Sequence, residues 1–122
     1  MSDEKQLEPR RSQCPVARSL DLIGDRWSLV IVRDMLSGRS KFQQFLDSPE
    51  KIPTNVLSSR LKLLESSGLI KASLYQRHPP RFAYTLTDKG KKLASVIRAI
   101  ADWGESSLPK SRGQRQTSST QG

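Results

Sequence analysis

Cys14 stands directly before Pro15, with Arg18 one turn further on and Arg10 and Arg11 just upstream. A thiol at the start of a helix feels the partial positive charge of the helix terminus, and nearby guanidinium groups favour its thiolate further. Such a thiolate reacts with oxidants or electrophiles, first to a sulfenic acid. Cys14 is the single cysteine of the 122 residues. Its oxidised product would therefore be a mixed disulfide with a small thiol, or a Cys14–Cys14 link between two copies with Cα atoms within about 7 Å. A plainer reading is also open, in which Cys14 is a small apolar side chain packed at the first helix. The single histidine, His78, lies in "QRHPPR". One Cys and one His cannot supply the four ligands of a zinc site, and they form a nucleophile–base pair only if the fold joins two separate elements. No P-loop or dinucleotide fingerprint occurs. The residues thus point away from an enzyme and call for no cofactor and no metal.

A second chemistry is written in "PTNVLSSRLKLLESSGLI", residues 53–70. At 100° per residue Val56, Leu57, Leu61, Leu63 and Leu64 share one broad face, while Asn55, Ser58, Ser59, Lys62 and Ser66 share the other. That second face offers small hydrogen-bonding groups and positive charge, and its acid, Glu65, comes late. It suits the major groove of DNA, which is about 12 Å wide and admits a helix. Small polar side chains let the backbone approach, and a helix N-terminus favours phosphate. Thr54, Asn55, Ser58 and Ser59 are the expected base readers, with Lys62 on phosphate. Asn is a bidentate partner for adenine. Arg60 lies on the flank of the apolar face, where it can reach a phosphate or pair with an acid inside the domain; we assign it a mixed role.

The charge balance agrees. The formal net charge is +9 and the pI about 10.2, which suits a polyanion. Between Arg39 and Lys92 there are eleven bases and four acids, a net +7. Residues 1–13 and 109–122 are polar and have little to bury, so they are expected to be a disordered arm and a disordered basic tail flanking one domain of residues 14–108. The lone cysteine suits a reducing compartment, no apolar run is long enough to span a bilayer, and the N-terminus lacks the apolar segment of a secretory signal. A cytoplasmic protein with no membrane partner is expected.

Periodicity sets the helices and strands that carry these side chains. Pro15 opens a first helix carrying Val16, Leu20 and Ile23 and ended by Gly24. Asp25 is the natural N-cap of a second helix over "RWSLVIVRDMLSG", with Trp27, Val30, Ile31 and Met35 inward and Leu29, Val32 and Leu36 alongside. "SKFQQFLDS" (40–48) reads as a short third helix capped by Ser40, and "PEKIP" as a loop. The helix of 53–68 is the fourth. Period two then takes over in "LIKASLYQ" and "RFAYTLT", with "RHPP" as the turn of a hairpin, since two prolines do not join a ladder. A last helix, capped by Thr87 or Asp88, runs through "KGKKLASVIRAIADWGESSL" with Leu93, Val96, Ile97, Ile100 and Trp103 as its apolar stripe. The fold class is mainly α with a β-hairpin wing (α+β): the winged helix-turn-helix plan. In that plan Arg77, His78 and Arg81 at the hairpin tip reach the DNA backbone or minor groove, and Arg39, Ser40 and Lys41 before the third helix form a phosphate clamp.

The ordered set "CPVARSLDLIGDRWSLVIVRDMLSG", "KFQQF", "LSSRLKLLESSGLI", "PPRFAYTLTDKGKKL" and "ADWG" resembles the HxlR-type winged helix-turn-helix regulators of bacteria, with their MarR-like winged helix. The resemblance covers residues 14–104. It implies a cytoplasmic homodimer that binds double-stranded DNA at a pseudo-palindromic operator and represses or activates nearby genes. It also implies that the first and last helices build the dimer, which assigns Val16, Leu20, Leu93, Val96, Ile97, Ile100 and Trp103 to the interface. Some members sense oxidants or electrophiles through the cysteine that aligns with Cys14, here without a partner cysteine in the same chain. The rival reading is a winged-helix protein-interaction module without sequence-specific DNA binding; an acidic or apolar exposed face on the helix of 53–68 would favour it, and the face is neither. Repression and activation fit the residues equally, and no small-molecule effector is singled out.

Overall fold

Among the described residues eleven apolar side chains make the core: Ile23, Ile31, Val32, Met35, Phe45, Ile52, Leu57, Leu61, Leu64, Leu69 and Ile70. The computed structural model describes residues 13–110, so the expected arm and tail lie outside the described residues apart from Gln13, Pro109 and Lys110. The order is α1 (Pro15–Ile23), α2 (Ser28–Leu36), α3 (Phe42–Leu46), α4 (Thr54–Ser66), β1 (Ile70–Arg77), β2 (Pro80–Leu86), α5 (Asp88–Lys91) and α6 (Leu93–Ser107). This is a winged helix-turn-helix. Among the described residues no helix is long and apolar enough to cross a membrane.

Helix α2 begins two residues later than expected, yet Asp25 caps its entry: one carboxylate oxygen accepts the N–H of Trp27 at 2.9 Å and of Ser28 at 3.0 Å. The Ser28 hydroxyl donates to the other oxygen. That bond lets a polar side chain be fully buried, and Ser28, Ile31, Val32 and Met35 then form the inward i, i+3, i+4, i+7 set. Trp27 is half-buried and packs against the core as expected, whereas Val30 is only half-buried and Leu36, expected alongside, is exposed.

Ser40 does not cap α3. The Gln44 side chain reaches back and accepts from the N–H groups of Ser40 and Lys41 at 2.9 and 3.0 Å. The Ser40 carbonyl instead accepts the Tyr84 N–H at 2.8 Å, and Lys41 bridges to Ala83, so this segment lies along β2 like a third strand. Phe45 is buried, tilted against the Tyr84 ring.

Helix α4 ends where Gly68 takes φ +78°, a left-handed conformation that favours glycine. The hairpin pairs antiparallel from Ile70↔Leu86 to Arg77↔Pro80. Pro80 therefore does join the ladder, against expectation. It is the first residue of its strand, where a missing N–H is tolerated. The turn shortens to His78 and Pro79, joined by a cis peptide. A register shift between Leu74 and Gln76 leaves Tyr75 bulged out.

The last helix comes in two pieces. The Thr87 hydroxyl oxygen accepts the Gly90 N–H at 3.1 Å and caps α5, and Lys92 forms the joint with α6. Gly90 is buried with its Cα against the Leu69 carbonyl, where a Cβ would collide. The joint lies in a polar stretch before the apolar stripe begins, so periodicity gave no sign of it.

Candidate nucleic-acid interface

Helix α4 is oriented by three leucines. Leu57, Leu61 and Leu64 are buried, and this turns Thr54, Asn55, Ser58, Ser59 and Lys62 to the exterior. Pro53 occupies the cap position, and no side chain caps the first turn, so the helix offers its N-terminal dipole beside Thr54 and Asn55. Ser66, on the same polar side of the helix, is exposed, and its hydroxyl donates back to the Leu63 carbonyl at 3.0 Å.

Arg60 is half-buried and its guanidinium lies 3.4 Å from the Asp25 carboxylate. The structure therefore shows the intradomain half of its mixed role. Burial pushes the Asp25 carboxyl up; hydrogen bonds from the Ser28 hydroxyl and the Trp27 and Ser28 N–H groups, with the charge of Arg60, outweigh it and hold the pKa below the usual value.

At the wing Arg77, His78 and Arg81 are all exposed, and the Gln76 amide closes the turn by donating to the Pro79 carbonyl at 3.1 Å. Of the expected clamp, Lys41 is exposed, while Ser40 is half-buried with its N–H and carbonyl used inside the domain. Arg39 is half-buried and donates to the Gln44 carbonyl. The Lys41 ammonium sits 4.7 Å from the centre of the Tyr75 ring, a cation–π contact that ties the wing to the entry of α3. Sequence reasoning missed Tyr75, because a bulged residue leaves the strand's alternation.

The stripe assigned to dimerisation divides. Leu93 and Ile97 are half-buried against the domain's own core, whereas Val96, Ile100 (52% exposed) and Trp103 (62%) face outward with Val16 and Leu20 of α1. The Cys14 thiol is exposed at the cap position of α1 rather than packed. Hydrogen bonds from the backbone of Ala17 and Val16 lower its pKa, outweighing a small effect of burial.

A profile of HxlR-like helix-turn-helix proteins matches residues 22–112. The chain belongs to this HxlR-like family. It is 32% identical over 106 residues to the HTH-type transcriptional regulator YybR of Bacillus subtilis, covering 87% of this chain and 85% of that protein. It is 36% identical over 92 residues to YdeP of the same organism, covering 75% and 72%. Among solved structures, the redox regulator HypR in its oxidised form matches with TM-score 0.71 and 31% identity over 80% of this chain and all of that one. The reduced form of the transcriptional regulator YodB from B. subtilis matches with TM-score 0.65 and 28% identity, covering 80% and 96%. This HxlR-like chain is thus a transcriptional regulator of helix-turn-helix type, in a family of DNA-binding regulators rather than enzymes.

Proposed function

We propose that the protein binds a pseudo-palindromic operator as a homodimer in the cytoplasm, where bacterial DNA lies. The observation that carries the reading is the exposed row Thr54, Asn55, Ser58, Ser59 and Lys62 opposite the buried leucines of α4. Asn55 and the serines read base edges, Lys62 and the wing residues Arg77 and Arg81 bind backbone, and Lys41 adds a phosphate contact beside the wing. Val16, Leu20, Val96, Ile100 and Trp103 bury themselves against a second copy, because exposed apolar side chains gathered on two helices mark an interaction surface. Two recognition helices in such a dimer read half-sites about one helical turn apart, roughly 34–36 Å.

Cys14 is the redox input of this reading. Its support is the exposed thiol at a helix start, its lowered pKa, and the likeness to the redox regulator HypR. A peroxide oxidises the thiolate to a sulfenic acid, giving up one oxygen and leaving as the alcohol or water. The sulfenic acid then condenses with a second thiol, releasing water and forming a disulfide. That second thiol is a small-molecule thiol or Cys14 of the other subunit.

Titration of a duplex selected by the protein from a random pool tests the reading. Binding should weaken steeply between 50 and 200 mM salt (about tenfold or more), since several Lys and Arg displace counterions. A purified dimer that binds no duplex, or binds independently of salt, contradicts it.

A further inference from the structure

The turn between α3 and α4 is held from α2. Arg33 donates through Nη1 and Nη2 to Glu50 Oε2 and Oε1 at 2.7 and 2.8 Å, a two-pronged fork. Its Nη2 also donates to Ser48 Oγ at 3.1 Å and to Asp34 Oδ1 at 2.8 Å, and the Ser48 hydroxyl donates to Glu50 Oε1 at 3.0 Å. Ser48 is 1% exposed and Asp34 is buried, while the Arg33 and Glu50 side chains are 40% and 37% exposed, so the network runs from the interior to the surface of the turn. It fixes a short, strained path. Lys51 adopts φ +61°, in the left-handed region, and its N–H donates to the Ser48 carbonyl at 3.0 Å. A lysine keeps that conformation only where its surroundings impose it. Ile52 then anchors in the core, and Pro53 leads into α4. On its other side Arg33 lines an apolar groove between α2 and α6 with Leu29, Val30, Ile97 and Ile100.

We infer that Arg33 and Glu50 are positioning residues for sequence reading. Their fork sets the direction and register in which α4 leaves the turn, and the stem of Arg33 links that setting to the packing of α6 on α2. The inference rests on the reading of α4 as the recognition helix. Hydrogen bonds to base edges demand placement to a fraction of an ångström, whereas attraction to phosphate does not. Loss of the fork therefore removes discrimination between sequences and leaves general affinity in place.

The sign of one substitution separates this from simple electrostatics. Glu50→Gln removes an acid from a DNA-binding domain, and charge alone would strengthen binding to every duplex. Positioning predicts the reverse for the preferred duplex. The experiment compares wild type, Glu50→Gln and Arg33→Lys on a duplex selected by wild type from a random pool and on a scrambled duplex of equal length, at one salt concentration. Affinity for the selected duplex should fall about two- to fivefold in both variants, because solvent screens a pair that is partly exposed. Affinity for the scrambled duplex should hold or rise in Glu50→Gln. Amide exchange at Lys51 and Ile52 should speed up in both. Arg33→Lys keeps the charge but not the fork, and it carries the same readings if Glu50→Gln does not fold. Wild-type affinity of both variants for the selected duplex overturns the inference, as does an equal fall on both duplexes. A wild-type protein that selects no sequence removes the reading of α4 itself, which is a distinct result.

Discussion

The Arg60 guanidinium lies 3.4 Å from the Asp25 carboxylate, and the same carboxylate caps α2 through the N–H groups of Trp27 and Ser28. One acid thus joins the start of α2 to the middle of α4. Asp25→Ala should lower unfolding free energy by about 1 kcal/mol, the ordinary weight of an N-cap. Arg60→Ala should cost less than about 1 kcal/mol, because the pair is partly exposed to solvent. Since the folded pKa of Asp25 is depressed, its contribution is present in full above the ordinary aspartate value and fades as pH falls through the lower folded one. Urea unfolding of wild type and Asp25→Ala should therefore differ at pH 7, begin to approach each other only below the ordinary aspartate value of about 4, and converge below the lower folded one.

Gly90 tests the packing of α5 on the hairpin. A Cβ there would meet the Leu69 carbonyl, which is backbone and cannot swing aside. Gly90→Ala should lower stability by about 1–3 kcal/mol, the range for overpacked sites. Chemical denaturation checks it.

The divided stripe gives two contrasting outcomes on one helix. Ile100→Asp places a carboxylate on the exposed part of α6 and should give a folded monomer by sedimentation. Leu93→Asp places one against the core and should unfold the domain, with a loss of more than about 2 kcal/mol. A dimeric Ile100→Asp at wild-type affinity would show that the outer face of α6 is not the interface.

Oxidation should act through Cys14. Peroxide should weaken DNA binding by wild type, reductant should restore it, and Cys14→Ser should bind without responding. Mass spectrometry of the oxidised protein distinguishes the mixed disulfide from the Cys14–Cys14 link. A Cys14→Ser protein that still loses DNA on oxidation would remove Cys14 as the sensor.

The faces of α4 were legible because Leu57, Leu61 and Leu64 repeat at a helical period and nothing outside the helix is needed to sort them. The wing was legible through its alternation, although Pro80 lies in β2 rather than in the turn where its residue type put it. The pairs that set the helices relative to one another were not. Arg33 meets Glu50 across 17 residues, and Asp25 meets Arg60 from another helix; no local pattern marks either. Ser40 looked like a cap by residue type, but Gln44 supplies the bonds from the other end of the turn. The stripe of α6 was legible as apolar, while its division between core and exterior depends on where α2 lies.

Whether the exposed face of α4 reads DNA is decided by one substitution, Ser59→Glu. The substitution sets a carboxylate on that face and leaves the buried leucines untouched. Measured against the duplex selected by wild type, its affinity should drop to that of wild type for a scrambled duplex or below, with an unchanged thermal midpoint. A folded Ser59→Glu dimer that binds the selected duplex with wild-type affinity would contradict the account.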